Sequence, residues 1–415
     1  MKKTYIKRDL EKEILAYTGY FAVVAITGAR QTGKTTTLSH IFGNDYKYIS
    51  LDDLATRSRA KADPKLFLDD LGEKIIIDEI QYAPELLSYI KIKVDEKPHI
   101  KGRYILTGSQ QFLMMKSFSE TLAGRIGILN MFPFSITELK NTFTGTNSSL
   151  KKIFYSYCAR GGYPELYINK KTPVEVWYKA YIKTYLERDI KILYDIGKLT
   201  EFNNFLQIIA SRNSQILNMS SLASEMNLSV NTIKSWISIL QASNIIYLLY
   251  PYYGRVAKRL IKSPKIYFFD IGLACHLNKI NSIEQLREHN LFGAMFENFC
   301  IVEILKHFKN IDKEKDMYYF RTGNGLEVDL LIQEGMKYIP VEIKASMSIK
   351  TNMAKNIEQL KDSFKKLNTS QGYLLSLSEE NFSVSKNVRA VPLIDFLTEI
   401  LSNSGSKGKK PHVKG

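Results

Sequence analysis

The 415-residue chain contains few of the residues that build disulfide frameworks or zinc sites. Its three cysteines, Cys158, Cys275 and Cys300, lie far apart and are odd in number, so no disulfide framework and no metal-binding cysteine motif is indicated. The six histidines are equally scattered and suggest no zinc site. We therefore expect free thiols in the reducing environment of the cytoplasm.

Long apolar runs are also missing. No run approaches the roughly 18–20 residues that cross a bilayer, and residues 1–9 are too polar for a secretory signal. We therefore expect a cytoplasmic protein without a membrane partner. The apolar content of 45% and the charged content of 24% are ordinary for a globular protein. Because the chain is longer than one hydrophobic core usually serves, several domains are expected.

The most informative segment reads GARQTGKT and lies between an apolar run, residues 21–26, and a helix-like segment, residues 35–42. It matches the pattern G-x-x-x-x-G-K-[ST] of phosphate-binding loops. Its glycines let successive backbone N–H groups point into one anion-sized nest, and the N-terminus of the following helix faces the phosphates. The segment predicts an ATP site formed by Gly28, Ala29, Arg30, Gln31, Thr32, Gly33, Lys34, Thr35 and Thr36.

Two side chains of this loop and two acids of a later strand complete the predicted chemistry. Lys34 places its charge against the β- and γ-phosphates, and the Thr35 hydroxyl is a ligand for Mg²⁺. Residues 74–79 form a β-branched run that ends in Asp78 and Glu79, as a buried strand of a parallel sheet would. Because ligands bind at the carboxyl ends of such strands, Asp78 is predicted to hold Mg²⁺ and Glu79 to polarise the attacking water. The alternative is a solvated acidic pair.

Two further segments offer less specific candidates. A strand-like run begins at Arg103 and ends in small polar residues, of which Thr107 or Ser109 is predicted to sense the γ-phosphate or to orient the water. Arg125 follows a short helical stretch and is a candidate arginine finger, since its guanidinium is always charged and can bind phosphate oxygens in a bidentate way. An ordinary surface arginine is the alternative. Arg30 is expected to face solvent or to make a packing contact.

Together, the segments GARQTGKT, IIIDE, YILTGS and LAGR resemble the ASCE/AAA+ branch of P-loop ATPases. More narrowly, the chain resembles a bacterial and archaeal family of ATP-binding proteins in which an AAA+ module precedes a winged helix and a restriction-endonuclease-like domain of unknown function. The segments LDD, GGYPE and ERDI also resemble signatures of that family, and the resemblance covers residues 9–401. It implies ATPase activity and leaves the cellular task open.

The charge balance indicates a polyanionic partner. Fifty-eight Lys and Arg residues against 42 Asp and Glu residues give a net charge of +16, and such a surplus favours nucleic acid without saying anything about specificity. Residues 402–415, rich in small residues and lysine, contribute part of the charge and are expected to be disordered. The rest of the chain keeps a surplus, so we predict DNA as a partner.

The middle of the chain has helical periodicity. Residues 135–140 and 174–194 carry apolar residues at three- and four-residue spacing, which predicts a helical lid or linker. Glu187, Arg188 and Asp189 are predicted to contact nucleotide or a neighbouring subunit, or else to form ordinary ion pairs on a helix surface.

The next segment predicts a winged helix: a short helix, a turn, and a second helix capped by Ser229. The second helix would bury the stripe Val230, Ile233, Ile237 and Leu240. Its outward face consists of Asn231, Thr232, Lys234, Ser235 and Ser238. A basic stretch at the place of a wing contains Arg255, Lys258, Arg259, Lys262 and Lys265. Such a unit either contacts DNA or serves as a packing module.

The last third of the chain carries a second set of charged residues on two strand-like segments, residues 327–332 and 338–344. Because side chains alternate along a strand, Glu342 and Lys344 share one face. Together with Asp329 on the preceding segment, they resemble the PD-(D/E)xK nuclease motif.

The residue types of this set suit a metal-dependent reaction. Glu297, on an upstream helix-like segment, would supply a further acid. Glu297, Asp329 and Glu342 are predicted to hold Mg²⁺, and Lys344 to orient or deprotonate the attacking water. Gln359 is a candidate supporting residue or else lies on the surface. The alternative is a domain that binds without cleaving, since a fold does not imply a function.

We therefore predict an α/β protein built from successive domains. They are a P-loop AAA+ parallel sheet in residues 1–140, a helical lid or linker in 141–200, a winged helix in 201–275, a PD-(D/E)xK-like α/β domain in 276–401 and a basic tail in 402–415. We predict that the protein hydrolyses ATP with Mg²⁺ and acts on DNA. A C-terminal nuclease and a homo-oligomer are further hypotheses. The alternative is a nucleotide-gated switch or scaffold whose C-terminal domain only binds a protein or nucleic-acid partner.

Overall fold

The computed structural model of the chain describes residues 5–109, 118, 120–140, 149–186, 199–253 and 263–402. Some predicted sites lie outside these ranges, namely Glu187, Arg188, Asp189, Arg255, Lys258, Arg259, Lys262 and residues 403–415. None of the helices within the ranges combines the length and the apolar character that a bilayer crossing requires.

The first apolar runs form the strands β1 (Val23–Thr27), β2 (Lys47–Ser50), β3 (Ile75–Asp78), β4 (Tyr104–Gly108) and β5 (Ile126–Asn130). They make a parallel sheet in the order β2-β3-β4-β1-β5. Strands β1, β3 and β4 are buried along their whole length, because separate hydrophobic clusters cover the sheet. All five strands run in one direction, so the ends of β1, β3 and β4 meet at one edge. The predicted parallel α/β sheet is confirmed.

The helices of this part are α1 (Glu11–Tyr20), α2 (Lys34–Phe42), α3 (Leu54–Ala62), α4 (Pro64–Leu71) and α5 (Leu86–Glu96), with a 3₁₀ turn at Ile80–Tyr82. Asp53 and Asp63 cap α3 and α4 by accepting backbone N–H groups. Helix α2 begins at the lysine of the glycine-rich loop. The predicted order of strand, loop and helix is therefore confirmed.

A helical segment follows, as predicted. It contains α6 (Ile136–Leu139), α7 (Leu150–Arg160), α8 (Glu165–Ile168), α9 (Val174–Tyr181), a π-helical turn at Ile182–Leu186 and α10 (Leu199–Ser211). Helix α6 starts with a capping box in which Ser135 and Glu138 exchange hydrogen bonds with each other's backbone.

Two helices and an antiparallel hairpin come next: α11 (Met219–Met226), α12 (Val230–Ala242), β6 (Ile246–Leu249) and β7 (Lys265–Phe268). Ser229 caps α12 as predicted. The buried face of α12 consists of Ile233, Trp236, Ile237, Ile239 and Leu240. The predicted stripe is wrong at Val230, which is 45% exposed, since the start of α12 at residues 229–231 faces solvent.

The C-terminal part has the helices α13 (Ile271–Leu277), α14 (Ile283–Glu288), α15 (Phe292–Asn310), α16 (Lys355–Ser363) and α17 (Leu393–Asp395). Its strands are β8 (Met317–Arg321), β9 (Glu327–Glu334), β10 (Lys337–Lys344), β11 (Gly372–Ser376), β12 (Phe382–Ser383) and β13 (Val388–Val391). They form a mixed sheet in the order β12-β13-β11-β10-β9-β8, antiparallel from β8 to β10 and parallel from β10 through β11 to β13. The two predicted strands are confirmed as β9 and β10.

One hydrophobic core runs from Phe132 to Leu401 and joins the helical segment, the hairpin, α15 and one face of the C-terminal sheet. Because this core contains residues on both sides of positions 140, 200 and 275, the domain boundaries at these positions stay predictions.

Candidate functional site

The phosphate loop leaves the carboxyl end of β1 and packs directly on Met131. Gly28 has φ 140°, and a Cβ atom there would lie 2.1 Å from the carbonyl oxygen of Met131, so that only glycine fits. Gly33 has φ 90° and precedes α2, and Gln31 is also left-handed, with φ 61°. This is the kind of turned backbone that points successive N–H groups into an anion nest.

Lys34 lies inside the loop and is only 6% exposed. Its ammonium group donates hydrogen bonds to the carbonyl oxygens of Gly28 at 2.9 Å and Ala29 at 3.0 Å. Burial lowers the pKa of Lys34 to about 8, against the opposing charges of Glu79 and Asp78. Because a charged phosphate is a stronger partner for an ammonium group than a neutral carbonyl, this geometry suits a nucleotide phosphate.

Asp78, at the end of β3, faces the loop. Its carboxylate accepts hydrogen bonds from three hydroxyl groups, those of Thr35 at 3.1 Å, Tyr48 at 2.6 Å and Thr107. Hydroxyl and carboxylate oxygens are the hard ligands that Mg²⁺ prefers. The pair Thr35 and Asp78 therefore fits the predicted Mg²⁺ site, and Tyr48 is a contact that no sequence motif indicated.

Glu79 follows in a left-handed conformation, with φ 57°, which is uncommon for a residue other than glycine. Its carboxylate accepts hydrogen bonds from the Gln81 amide and from the Ser109 hydroxyl at 3.2 Å. Its backbone N–H donates to Thr107 Oγ1 at 3.4 Å. The two hydroxyl residues between which the sequence could not choose thus contact different groups: Thr107 holds Asp78, and Ser109 holds the Glu79 side chain.

The two candidate arginines lie at opposite edges of the sheet. The Arg125 carbonyl accepts the N–H of Val23, the first residue of β1, so Arg125 is at the amino edge, away from the loop. Its guanidinium makes a bidentate pair with Asp95 at 2.6 and 3.0 Å. This position excludes a finger role at the nucleotide of its own chain. Arg30 lies within the loop at the other edge, and it donates to the Tyr82 hydroxyl at 3.4 Å, the packing contact that was expected.

A cavity of about 550 Å³ lies next to the loop. Its walls come from the N-terminal segment, the start of α2 and helices α8 and α9, and include Tyr5, Arg8, Thr36, Phe134, Pro164 and Trp177. A mixed apolar and polar cavity of this size is typical of sites for small ligands. Thr36 therefore faces the cavity and lies outside the loop itself. The N-terminal residues and Trp177 were missed because they belong to no motif.

On the C-terminal sheet, Glu342 and Lys344 share one face of β10, as the alternation predicts. Lys344 Nζ lies 2.6 Å from Glu342 Oε1 and 3.8 Å from Oδ2 of Asp329 on β9. Asn356 of α16 donates to the same Glu342 oxygen at 3.1 Å, whereas Gln359 is exposed. The supporting amide is therefore Asn356, and Gln359 lies on the surface, the second of its two expected positions.

A second lysine, Lys265 of β7, reaches these acids from the hairpin. Its Nζ lies 3.1 Å from Glu297 on α15 and 2.7 Å from Glu327 on β9. The Tyr267 hydroxyl donates to the same Glu297 oxygen at 2.7 Å. Lys265 is only 4% exposed, so the predicted phosphate contact of this residue in a wing is wrong. Its charge instead ties the hairpin to the C-terminal sheet.

The three predicted metal ligands of this cluster do not form one ligand set. Within the ranges that the structure describes, no group of three or more His, Cys, Asp or Glu side chains is placed to hold a metal ion. Lys265 pairs with Glu297, and Lys344 pairs with Asp329 and Glu342. In this arrangement the residues do not fit the predicted Mg²⁺ site, since each of the three acids is paired with a lysine and they do not converge as one ligand set.

The charges of the cluster act on each other. Burial and the neighbouring Asp329 raise the pKa values of Glu297 and Glu342. Burial opposes the charge of Lys344, but Asp329 and Glu342 outweigh it and raise the pKa of Lys344. The cluster, defined here as Lys265, Glu297, Glu327, Asp329, Glu342 and Lys344, is thus one interacting set.

Three family models match successive parts of the chain. An AAA domain matches residues 20–140, a domain of unknown function (DUF8612) matches residues 151–284, and a second domain of unknown function (DUF4143) matches residues 292–396. The first match spans the parallel sheet and the loop. This part of the chain therefore matches an AAA domain.

Relatives match over most of the chain. An uncharacterised protein of Mycobacterium tuberculosis is 26% identical over 91% of this chain and 81% of its own length. One of Methanocaldococcus jannaschii is 23% identical over 95% and 86%. Among solved structures, a Walker-type ATPase of Pyrococcus abyssi is similar with a TM-score of 0.43 and 15% identity, over 66% of this chain and 97% of that chain. A TM-score of this size does not establish a shared fold.

Proposed function

We propose that the chain binds ATP at the loop after β1 and hydrolyses it. The observation that carries the proposal is the placement of Lys34 inside the loop, with Asp78 and Glu79 at the end of β3, on the same edge of the sheet. Lys34 would exchange its two carbonyl partners for phosphate oxygens. Thr35 and Asp78 would hold Mg²⁺, which neutralises charge on the phosphates when bound.

Glu79 is the proposed base for the attacking water. A general base must lie within hydrogen-bond reach of the proton that it takes, and Ser109 and Gln81 restrict the Glu79 carboxylate to one position. The base and ribose of ATP would enter the adjacent cavity, where Phe134 and Trp177 offer apolar surface.

Turnover of ATP tests this function. In Glu79→Gln we expect turnover to fall by roughly 10²- to 10⁴-fold, the usual contribution of a general base, while ATP still binds. The matched control is Glu96→Gln, the same substitution at an exposed residue at the end of α5, which should keep wild-type turnover. Full activity in a folded Glu79→Gln protein would contradict the proposal.

DNA is the proposed partner of the helix–turn–helix and hairpin unit, which we interpret as a winged helix. The outward residues Asn231, Lys234, Ser235 and Ser238 are exposed on α12, and the net charge of +16 favours a polyanion. In Lys234→Glu the affinity for a labelled duplex should fall several-fold. The slope of log affinity against log salt concentration should become less steep by about one. Lys12→Glu, an exposed residue of α1, is the control, and equal effects of both substitutions would argue against the proposal.

For the C-terminal part we propose binding without cleavage, because the lysines pair with the acids that a nuclease would need for metal. A labelled duplex incubated with Mg²⁺ should stay intact. Nicking that disappears in Asp329→Ala would instead support the nuclease hypothesis. A homo-oligomer remains a prediction, in which Arg125 would face a neighbouring subunit.

A further inference from the structure

Arg8 lies ahead of α1, outside every motif, yet it is buried against the phosphate loop with 3% exposure. Its guanidinium donates hydrogen bonds to the carbonyl oxygens of Thr32 and Phe132, each at 2.7 Å, and to the Glu138 carboxylate at 2.9 Å. It also lies over the Phe134 ring, 4.7 Å from the centroid. Three nitrogen atoms each have a separate partner, so the cation is held in one place.

The contact with Thr32 acts on the shape of the loop. Thr32 and Gly33 are joined by a trans peptide bond, so the Thr32 carbonyl and the Gly33 N–H point in opposite directions. Because Arg8 holds the carbonyl on one side, the Gly33 N–H is directed to the other, where phosphates would bind. Gly33 itself provides little restraint, since glycine reaches several backbone conformations at low cost.

Glu138 anchors the other side of the guanidinium. Its carboxylate also accepts the backbone N–H groups of Asp9 at 2.9 Å and Ser135 at 2.8 Å. These bonds hold the Glu138 carboxylate in place, and its charge neutralises that of Arg8 inside the protein. Arg8 is therefore not available as a direct ligand for phosphate, and any effect on nucleotide must pass through the loop backbone.

The segment that follows β5 and contains Met131 and Phe132 also supports the first glycine of the loop. Met131 donates its N–H to Thr27 at 2.8 Å and lies directly against Gly28. Arg8 reaches this segment through Phe132. It thus connects the last turn of the loop with the backbone that supports its first turn.

We propose that Arg8 is a positioning residue for ATP, which keeps the phosphate loop in its anion-binding shape from outside the loop. The proposal rests on the proposed function, because it assumes that the loop binds ATP. Its specific consequence is that loss of Arg8 weakens binding of the β- and γ-phosphates more than binding of the base and ribose, because Arg8 is only one of several walls of the cavity.

Competition against a fluorescent ATP analogue, with ATP and AMP as competitors, measures the affinity for each nucleotide. The informative variant is Arg8→Met combined with Glu138→Met, which removes both charges and so leaves no buried carboxylate without a partner. ATP should bind at least about tenfold more weakly, and AMP should lose clearly less affinity than ATP, about threefold or less. Arg59→Met, at an exposed residue of α3, is the control and should leave both affinities unchanged.

Arg8→Lys provides the conservative comparison. A lysine keeps the charge but cannot donate to three acceptors in one plane as a guanidinium does. The ratio of ATP affinity to AMP affinity should therefore lie between the ratios of wild type and of the double variant. If the double variant does not fold, as judged by circular dichroism, this ratio in Arg8→Lys decides the question.

Two results would overturn the role of Arg8: equal weakening of ATP and AMP, or unchanged ATP affinity in a folded variant. Lys34→Ala separates this failure from that of the proposed function. If Lys34→Ala also leaves ATP affinity unchanged, the loop is not the ATP site. If only Lys34→Ala weakens ATP, the loop binds ATP and Arg8 does not position it.

Discussion

The loop site and the C-terminal cluster both bring lysines close to acids, but the acids have different partners. At the loop, Lys34 bonds to backbone carbonyls, and Asp78 bonds to hydroxyl groups. In the cluster, Lys344 and Lys265 bond directly to carboxylates. The first site therefore keeps its cation and its acids apart for external ligands, whereas the second pairs its lysines with its own acids.

The lysine pKa values express the same difference. Burial lowers the pKa of Lys34 to about 8 in spite of the nearby acids, while acids in direct contact raise the pKa of Lys344 against the effect of burial. A buried charge costs free energy unless a partner opposes it. A site that binds a charged ligand thus gives up stability that the ligand restores, and a paired cluster stabilises the contact between its elements.

The largest expected effect is on stability, at Lys265. Lys265→Met leaves Glu297 and Glu327 near each other without their shared cation, so we expect the free energy of unfolding to fall by about 3–5 kcal/mol. Denaturant unfolding measures the change. Lys315→Met, which removes a partly exposed lysine 3.9 Å from Glu334, is the control and should cost about 1 kcal/mol or less.

The same variant sharpens the comparison through metal binding. If lysine pairing is what separates the cluster from a metal site, Lys265→Met should bind Mn²⁺ more tightly than wild type in a calorimetric titration at neutral pH. A small loss of stability and unchanged Mn²⁺ binding would mean that the acids are neutralised in another way.

A smaller effect is expected at the loop site, in Tyr48→Phe. The variant loses one hydrogen bond to Asp78, a contribution of about 1 kcal/mol, so the Mg²⁺ concentration at half-maximal ATP turnover should rise about fivefold. ATP binding without Mg²⁺ should not change. Tyr20→Phe, at a residue that is 67% exposed, is the control. An equal effect on metal-free ATP binding would show that Tyr48 supports the loop rather than Asp78.

The smallest effect is expected at His307 on α15, the helix that also carries Glu297. It separates the contribution of His307 to the pH dependence of stability from that of the cluster. Burial, and to a lesser degree Lys313, lowers the pKa of His307 to about 4. Its neutral form therefore stabilises the fold above the unfolded pKa of about 6.5, and this contribution is lost as the pH falls from there towards 4.

In His307→Gln, the loss of stability between pH 7 and pH 5 should be smaller than in wild type by about 1 kcal/mol, a value reduced for partial exposure. Denaturant unfolding at the two pH values provides the measurement. His99→Gln, at an exposed histidine, should follow wild type. If both variants lose as much stability as wild type, other groups account for the acid response.

The features that the sequence predicted are those in which a short segment carries its own geometry. The loop with its two glycines, the acid pair that ends β3, and the alternation that places Glu342 beside Lys344 all depend on neighbours in the chain. A strand fixes which side chains share a face, and a glycine-rich pattern fixes where the backbone can turn.

The features that sequence reasoning missed or misplaced depend on which segments meet. Arg125 and Lys265 were assigned by motif and by charge, but the sheet places the first at the wrong edge for its own nucleotide. The hairpin turns the second inward to Glu297. Arg8, which belongs to no motif, could not be identified because two of its three hydrogen-bond partners, Phe132 and Glu138, lie more than a hundred residues away.

The sequence alone therefore determined that a phosphate loop, an acidic strand end and a Glu-x-Lys strand exist, since each is encoded by the spacing of a few adjacent residues. Tertiary structure alone decided which charges neutralise each other. It left Lys34 bonded to neutral carbonyls, gave Lys265 its carboxylate partners and brought Asp329 to Lys344. The physical reason is that a charge interacts through distance in space and through burial, and neither quantity is set by separation along the chain.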